Sequence, residues 1–200
     1  MTIINKIDDL LGTASYNYIL TRFTDPGIHW YYLPVTAGYM DHANIDAYRG
    51  GFSHNIYNTE QGAISPLYEP ALIILLAALD RQGQQLESLL RIRYGFATRT
   101  PKPIVHSPHV DREQPHRTAC YYITDTDGPT VVYDELVTYR DPNVPLEYTV
   151  ADSCEPVANR WMDFDGAHFH SSTSPTQHEE RFVLTFNYTV VGEQLWDRHV

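Results

Sequence analysis

From Leu86 to Val191 the chain breaks into short runs rich in Val, Ile, Tyr, Phe and Thr, separated by clusters of Pro, Gly, Asp and Asn. β-branched and aromatic residues suit a pleated, half-buried surface. Pro removes ladder donors and Gly admits turn conformations, so the pattern predicts strands punctuated by turns. The predicted strands are Leu86–Thr98, Ile104–Val110, Thr118–Thr124, Thr130–Val137, Glu147–Ala151, Arg160–Phe164, Ala167–Ser171 and Arg181–Val191. Strands at this spacing build a sandwich or a small barrel, not an alternating parallel sheet.

Upstream the pattern turns helical. Ile3–Leu11, closed by Gly12, and Ser15–Phe23, closed by Asp25-Pro26-Gly27, predict two short helices. For a third, Ser65 suits the N-cap, Pro66 the first helical position, and Leu67–Leu79 is apolar almost all round before Asp80 and Gly83 end it, which predicts a largely buried helix. At 200 residues with no linker or repeat, the expectation is one domain over 1–200, with a mainly helical support layer at 1–85 and a β core at 86–200. No apolar run approaches the roughly 18 to 20 residues of a membrane span, and Lys6, Asp8 and Asp9 interrupt any amino-terminal signal core, so a cytoplasmic protein without membrane contact is expected. Cys120 and Cys154 are predicted to be packed thiols. A net charge of -11 opposes binding to phosphate backbones, and no nucleic-acid partner is expected.

The last predicted strand alternates two unlike faces. Phe182, Leu184, Phe186 and Tyr188 form one; Arg181, Val183, Thr185, Asn187 and Thr189 form the other. The polar face is either the solvated side of a sheet or the wall of a ligand-filled barrel, in which case Arg181 needs an anionic partner. His109-Val110-Asp111 places an imidazole and a carboxylate on one strand face, where both can bind one metal. About one such pair arises by chance in a chain with 10 His, so its weight comes from residues farther down the chain. Phe164-Asp165-Gly166-Ala167-His168-Phe169-His170 is a strand, a turn and a second strand that offers another imidazole. Two His and one carboxylate on one side of a metal leave positions open for a co-substrate and dioxygen.

In the order His-x-Asp, His, Arg, the sequence resembles the 2-oxoglutarate and Fe(II)-dependent dioxygenases, in particular their prolyl-hydroxylase-like branch, over about Leu86 to Val191. The resemblance implies a mainly β fold with a double-stranded β-helix (jelly-roll, cupin-like) core and flanking amino-terminal helices. It implies Fe(II) held by His109, Asp111 and His170, with His168 the rival for the third place because strand parity does not separate the two. It also implies 2-oxoglutarate bound by Arg181 with Thr185 on the same face and by Tyr122 of Tyr121-Tyr122-Ile123-Thr124. Asp127-Gly128-Pro129-Thr130 resembles the hairpin before the next strand. Tyr94 is the choice for a helper residue on the strand before the His-x-Asp pair, with Arg93 or Arg99 as alternatives. The activity implied is hydroxylation of an unactivated carbon in a protein side chain, proline above all, or in a small metabolite, with dioxygen consumed and 2-oxoglutarate decarboxylated to succinate.

Two other classes use the same fold. A cupin-like metal-dependent isomerase or other non-oxidative enzyme keeps the His/Asp site without requiring Arg181, and a jelly-roll binding or structural protein requires neither. Plainer readings suit other residues: His106 and His116 as surface-loop histidines or entrance residues, His54 in a turn or lid, and Tyr31, Tyr32 and Tyr39 packing the helical layer.

Overall fold

The computed structural model describes residues 3–34, 50–137, 147–193 and 195. Strands dominate, and they form two antiparallel sheets. The larger takes β1 (Asn5–Ile7), β2 (Tyr31–Leu33), β3 (Gly51–Asn58), β4 (Gly62–Ala63), β5 (Leu86–Thr98), β6 (Arg117–Tyr122), β9 (Arg160–Asp165) and β11 (Glu180–Val190), in the order β1-β9-β6-β11-β5-β3-β2 with β4 paired to β3. The smaller is β10-β7-β8, from β7 (Thr130–Leu136), β8 (Val150–Cys154) and β10 (His168–Ser172). This is the expected jelly-roll arrangement, with both helices on the outer face of the larger sheet.

The two faces of β11 explain the layering. Leu184, Phe186 and Tyr188 are buried with Ile92 and Tyr94 of β5 against α1 (Thr13–Phe23) and α2 (Tyr68–Gln82). Ile74, Leu75 and Leu79 of α2 are wholly or almost wholly buried there, each contributing roughly 1.5–3 kcal/mol. The opposite face of the sheet meets the smaller sheet across a second cluster, in which Cys120, Tyr122, Met162 and Phe164 pack against Val132 and Cys154. Both cysteines are buried and unbridged.

Several sequence expectations are corrected. Ile3–Leu11 carries β1, which pairs with β9 from Asn5↔Asp163 to Ile7↔Trp161, and Asp9 at φ 47 is incompatible with a continuous helix. The described residues before Leu86 therefore supply four strands as well as two helices. In α2 the Ser65 hydroxyl accepts from the Leu67 amide, and regular helix begins at Tyr68 and ends at Gly83 in the left-handed region. Its outer face leaves Ile73 and Leu76 about half exposed, so burial is one-sided. Ile104–Val110 forms only the isolated bridges His109↔His170 to β10 and Val105↔Thr173 just beyond it, because Pro103 and Pro108 interrupt the ladder. Tyr31 and Tyr32 are 69% and 63% exposed on β2, and Tyr39 lies outside the described residues. Among the described residues no helix is long and apolar enough to cross a membrane.

Candidate active site

His109 reaches the space between the sheets because its backbone exchanges two hydrogen bonds with His170, N–H to O at 3.1 and 2.9 Å. This pairing sets the two imidazoles side by side and tilted, with ring centroids 4.4 Å apart and planes 47° from parallel. Nδ1 of His109 faces the Ser107 carbonyl at 3.1 Å and Nδ1 of His170 the His168 carbonyl at 3.5 Å. A carbonyl only accepts, so each proton sits on Nδ1 and each Nε2 lone pair is free to ligate. Both Nε2 atoms stand 3.9 Å from oxygens of Asp111. One ligand atom from each of the three residues lies within 4.8 Å of the others.

The turn that delivers His170 follows from local chemistry. After β9 the Asp165 carboxylate accepts from the Ala167 amide at 3.0 Å, and Gly166 donates to the His116 carbonyl at 2.9 Å. A Cβ on Gly166 would stand 2.4 Å from the His116 ring, so only glycine lets the chain cross there from one sheet to the other. A register irregularity between His168 and His170 sends the two imidazoles different ways: His168 Nδ1 bonds the Tyr133 carbonyl at 2.7 Å, and His170 faces Asp111. Alternation alone does not separate them, since the irregularity is a property of the pairing with β7.

The triad's electrostatics suit a divalent cation. Burial lowers the pKa of His109 and brings that of His170 down to about 3, so both rings are neutral near pH 7. Burial opposes ionisation of Asp111, but Arg91 first, then the imidazoles and Arg93, hold its carboxyl well below the usual range. Arg91 Nη2 lies 2.5 Å from one Asp111 oxygen and Asn187 Nδ2 donates to the other at 2.9 Å. Neither Arg91 nor Asn187 is singled out as a site residue by the sequence. The available signal was strand parity, because Asn187 shares its face with Arg181 and Thr185, and Arg91 is its register partner on β5.

The polar face of β11 turns away from the helices and toward the smaller sheet. Arg181, 2% exposed, donates from Nε to the Gly128 carbonyl at 2.6 Å and from Nη2 to the Thr130 hydroxyl at 2.8 Å. Tyr122 donates to the same hydroxyl at 2.7 Å, and the guanidinium carbon lies 5.6 Å from the centre of its ring. Burial holds the Tyr122 phenol well above its ordinary pKa. Thr185 lies between the Arg181 and Asn187 positions, with Cys120 as its register partner on β6. Burial pushes the Cys120 thiol up to about 12.

Tyr94 is not part of this face. Its hydroxyl donates to the Phe23 carbonyl at 2.9 Å and its ring packs on Phe23, Trp30 and Phe182, on the helix side of the sheet. Strand parity is the reason: Arg91 and Arg93 take the face of β5 that meets Asp111 and Tyr94 the other. Of the alternatives, Arg99 pairs with Glu179 at the surface and Arg93 shares the strand face of Arg91. His54 lies within β3, bonded to the His29 carbonyl and to Ser65 at 2.8 and 2.7 Å, and forms neither a turn nor a lid. His106 and His116 are both buried, because the 104–109 segment is stitched to β10 and Gly166 packs on His116. Beside the triad, Asp111 to Gln114 line an open depression of ≈ 520 Å³.

Neither a protein-family model nor a curated protein sequence matches the chain. Solved structures do. A Pseudomonas putida prolyl-4-hydroxylase aligns at TM-score 0.56 and 15% identity over 94% of this chain and 93% of its own. A Burkholderia pseudomallei oxidoreductase of the 2OG-Fe(II) oxygenase family aligns at 0.60 and 14%, over 94% and 85%. The non-heme alpha ketoglutarate dependent epimerase SnoN from nogalamycin biosynthesis aligns at 0.62 and 12%, over 94% and 78%. A further SnoN structure is a complex with Fe3+, alpha ketoglutarate and nogalamycin RO. At these identities the likeness is one of fold.

Proposed function

We propose that the chain is an oxygenase that binds Fe(II) through His109, Asp111 and His170 and takes 2-oxoglutarate as co-substrate. It hydroxylates an unactivated carbon of its substrate while the keto acid is converted to succinate and carbon dioxide. Arg181 carries this reading: it is a buried guanidinium on the face of β11 opposite the helices, with only neutral hydrogen-bond partners among the described residues. Such a charge costs several kcal/mol to bury unless an anion joins it. A dicarboxylate that also chelates a metal supplies an anion at one end and oxygen ligands at the other.

The donor set fits the metal, since two neutral imidazoles and one ionised carboxylate leave coordination positions open. Iron, when bound, supplies the oxygen chemistry. The chain's residues do the positioning. Arg181 forms parallel charge-assisted hydrogen bonds to the distal carboxylate, the Tyr122 phenol donates another, and Thr185 and Cys120 line the wall between that carboxylate and the triad.

The test is an anaerobic titration of 2-oxoglutarate into Fe(II)-loaded protein. Charged hydrogen bonds contribute about 1.5–3 kcal/mol each and a decade of affinity is about 1.4 kcal/mol, so Arg181→Ala weakens 2-oxoglutarate at least tenfold. Metal affinity stays unchanged, and Arg181→Lys recovers part of the loss. Asp111→Ala abolishes succinate formation while the melting transition remains cooperative. Equal 2-oxoglutarate affinities in wild type and both Arg181 variants would remove the co-substrate from the reading.

A further inference from the structure

Three arginines of a chain with net charge -11 stand on one face of the larger sheet, the face that carries Asn187, a partner of Asp111. Arg181 stands at one end, and Arg91 and Arg93 stand on β5 as register partners of Asn187 and Thr185. Asp111 is the carboxylate in contact with this group, through Arg91 at 2.5 Å. Arg112 and Glu113, of opposite charge, line the depression beside Asp111. Arg93 is half-buried, and among the described residues it makes no hydrogen bond or ion pair. Arg91, Asp111 and Cys120 are its electrostatic neighbours.

The charges do not balance when Fe(II) and 2-oxoglutarate fill the site. A dication is offset by Asp111 and by the keto acid's proximal carboxylate, and Arg181 by the distal one. Arg91 and Arg93 remain, two residues apart on one strand face. Arginine does not relieve this by losing its proton. Arg91 keeps its contact with Asp111, and Arg93 has none among the described residues.

We propose that the substrate carries a carboxylate and that Arg93 binds it, placing the carbon to be oxidised beside the metal. The proposal rests on the oxygenase reading. One free guanidinium matches a planar carboxylate through two parallel hydrogen bonds, whereas a phosphate is usually met by several donors, among them backbone amides or lysine. The depression beside Asp111, ≈ 520 Å³, has the volume of a small-molecule site. The carboxylate belongs either to a free acid or to an acidic side chain of a peptide.

The experiment uses the full chain loaded with Fe(II) and 2-oxoglutarate under nitrogen, at constant ionic strength. Calorimetric titrations compare propionate with propionamide, and the blocked peptide N-acetyl-Ala-Glu-Ala-amide with its Gln counterpart. In at least one pair the acid binds at least tenfold tighter than its neutral isostere, and the pair that shows this assigns the source. Arg93→Gln reduces the acid to the level of the amide and leaves 2-oxoglutarate affinity within twofold. Equal binding within both pairs overturns the proposal. So does an Arg93→Gln variant that keeps the acid preference, or one whose main defect is tenfold weaker 2-oxoglutarate, which would assign Arg93 to the co-substrate. Binding of 2-oxoglutarate by the Fe(II)-loaded wild type is measured first. Its absence defeats the oxygenase reading alone, because the same titrations on metal-loaded protein still decide what Arg93 binds.

Discussion

Asn187 contributes to the candidate centre without being one of its ligand donors. Its amide donates to Asp111 at 2.9 Å and to the Thr118 hydroxyl at 3.2 Å, and it is fully buried. Partners that orient a ligating carboxylate typically govern metal affinity by 10- to 100-fold. Asn187→Ala is therefore expected to weaken Mn(II) or Co(II) binding by about tenfold or more with Arg181 and its contacts intact; unchanged affinity would mean that Arg91 alone fixes the carboxylate. At this scale the sequence was informative where residue type and spacing both constrain chemistry. His109, Asp111 and His170 bring ligand atoms within 4.8 Å of one another, and Arg181 and Tyr122 meet at the Thr130 hydroxyl. It was uninformative where only strand register decides. Tyr94 and Arg93 are adjacent in sequence and point to opposite faces, and nothing in their spacing from His109 says which one takes the face that meets Asp111.

Gly128 shows how one element positions the site. It sits at φ 91, and an added Cβ would meet the Thr173 carbonyl oxygen at 2.4 Å. Its own carbonyl accepts from Arg181 at 2.6 Å. A side chain here is strained by about 1–3 kcal/mol and displaces the turn before β7 that cradles the guanidinium. Gly128→Ala is expected to lower the melting temperature by several degrees and to weaken 2-oxoglutarate binding, with divalent-metal affinity unchanged. A variant with wild-type melting and wild-type 2-oxoglutarate affinity would show that the turn tolerates a side chain. The strands from Leu86 onward were legible because period-two alternation and turn residues bound them; β5 spans Leu86–Thr98 as predicted. Strands β1 to β4 were not. Three residues such as Asn5–Ile7 have no period to read and owe their strand state to a distant partner, Asn5 pairing with Asp163 across 158 positions of sequence.

At the scale of the molecule, the excess of acids concentrates acid sensitivity where carboxylates hold loops together. Asp127 is the clearest case. Its oxygens accept from the amides of Thr176, Gln177 and His178 and from the Thr176 hydroxyl, at 2.6–3.2 Å, and so tie the segment before β11 to the turn at Gly128. Partial burial opposes its ionisation, but the hydrogen bonds from Thr176 and His178 outweigh it and hold the carboxyl well below its ordinary pKa. A carboxyl whose folded pKa is depressed adds stability that is fully present above the unfolded value, near 3.8, and that is lost as pH falls through the folded one. The protein is therefore expected to lose stability from about pH 4 downward, and part of that loss belongs to Asp127. General charge repulsion grows over the same range, so the variant must separate the two. Asp127→Asn, whose amide does not titrate, should be less stable than wild type at pH 7, and its urea midpoint should fall less between pH 7 and pH 3. Parallel declines in the two proteins would assign the acid sensitivity to the rest of the acidic surface and leave Asp127 with a structural role independent of its charge.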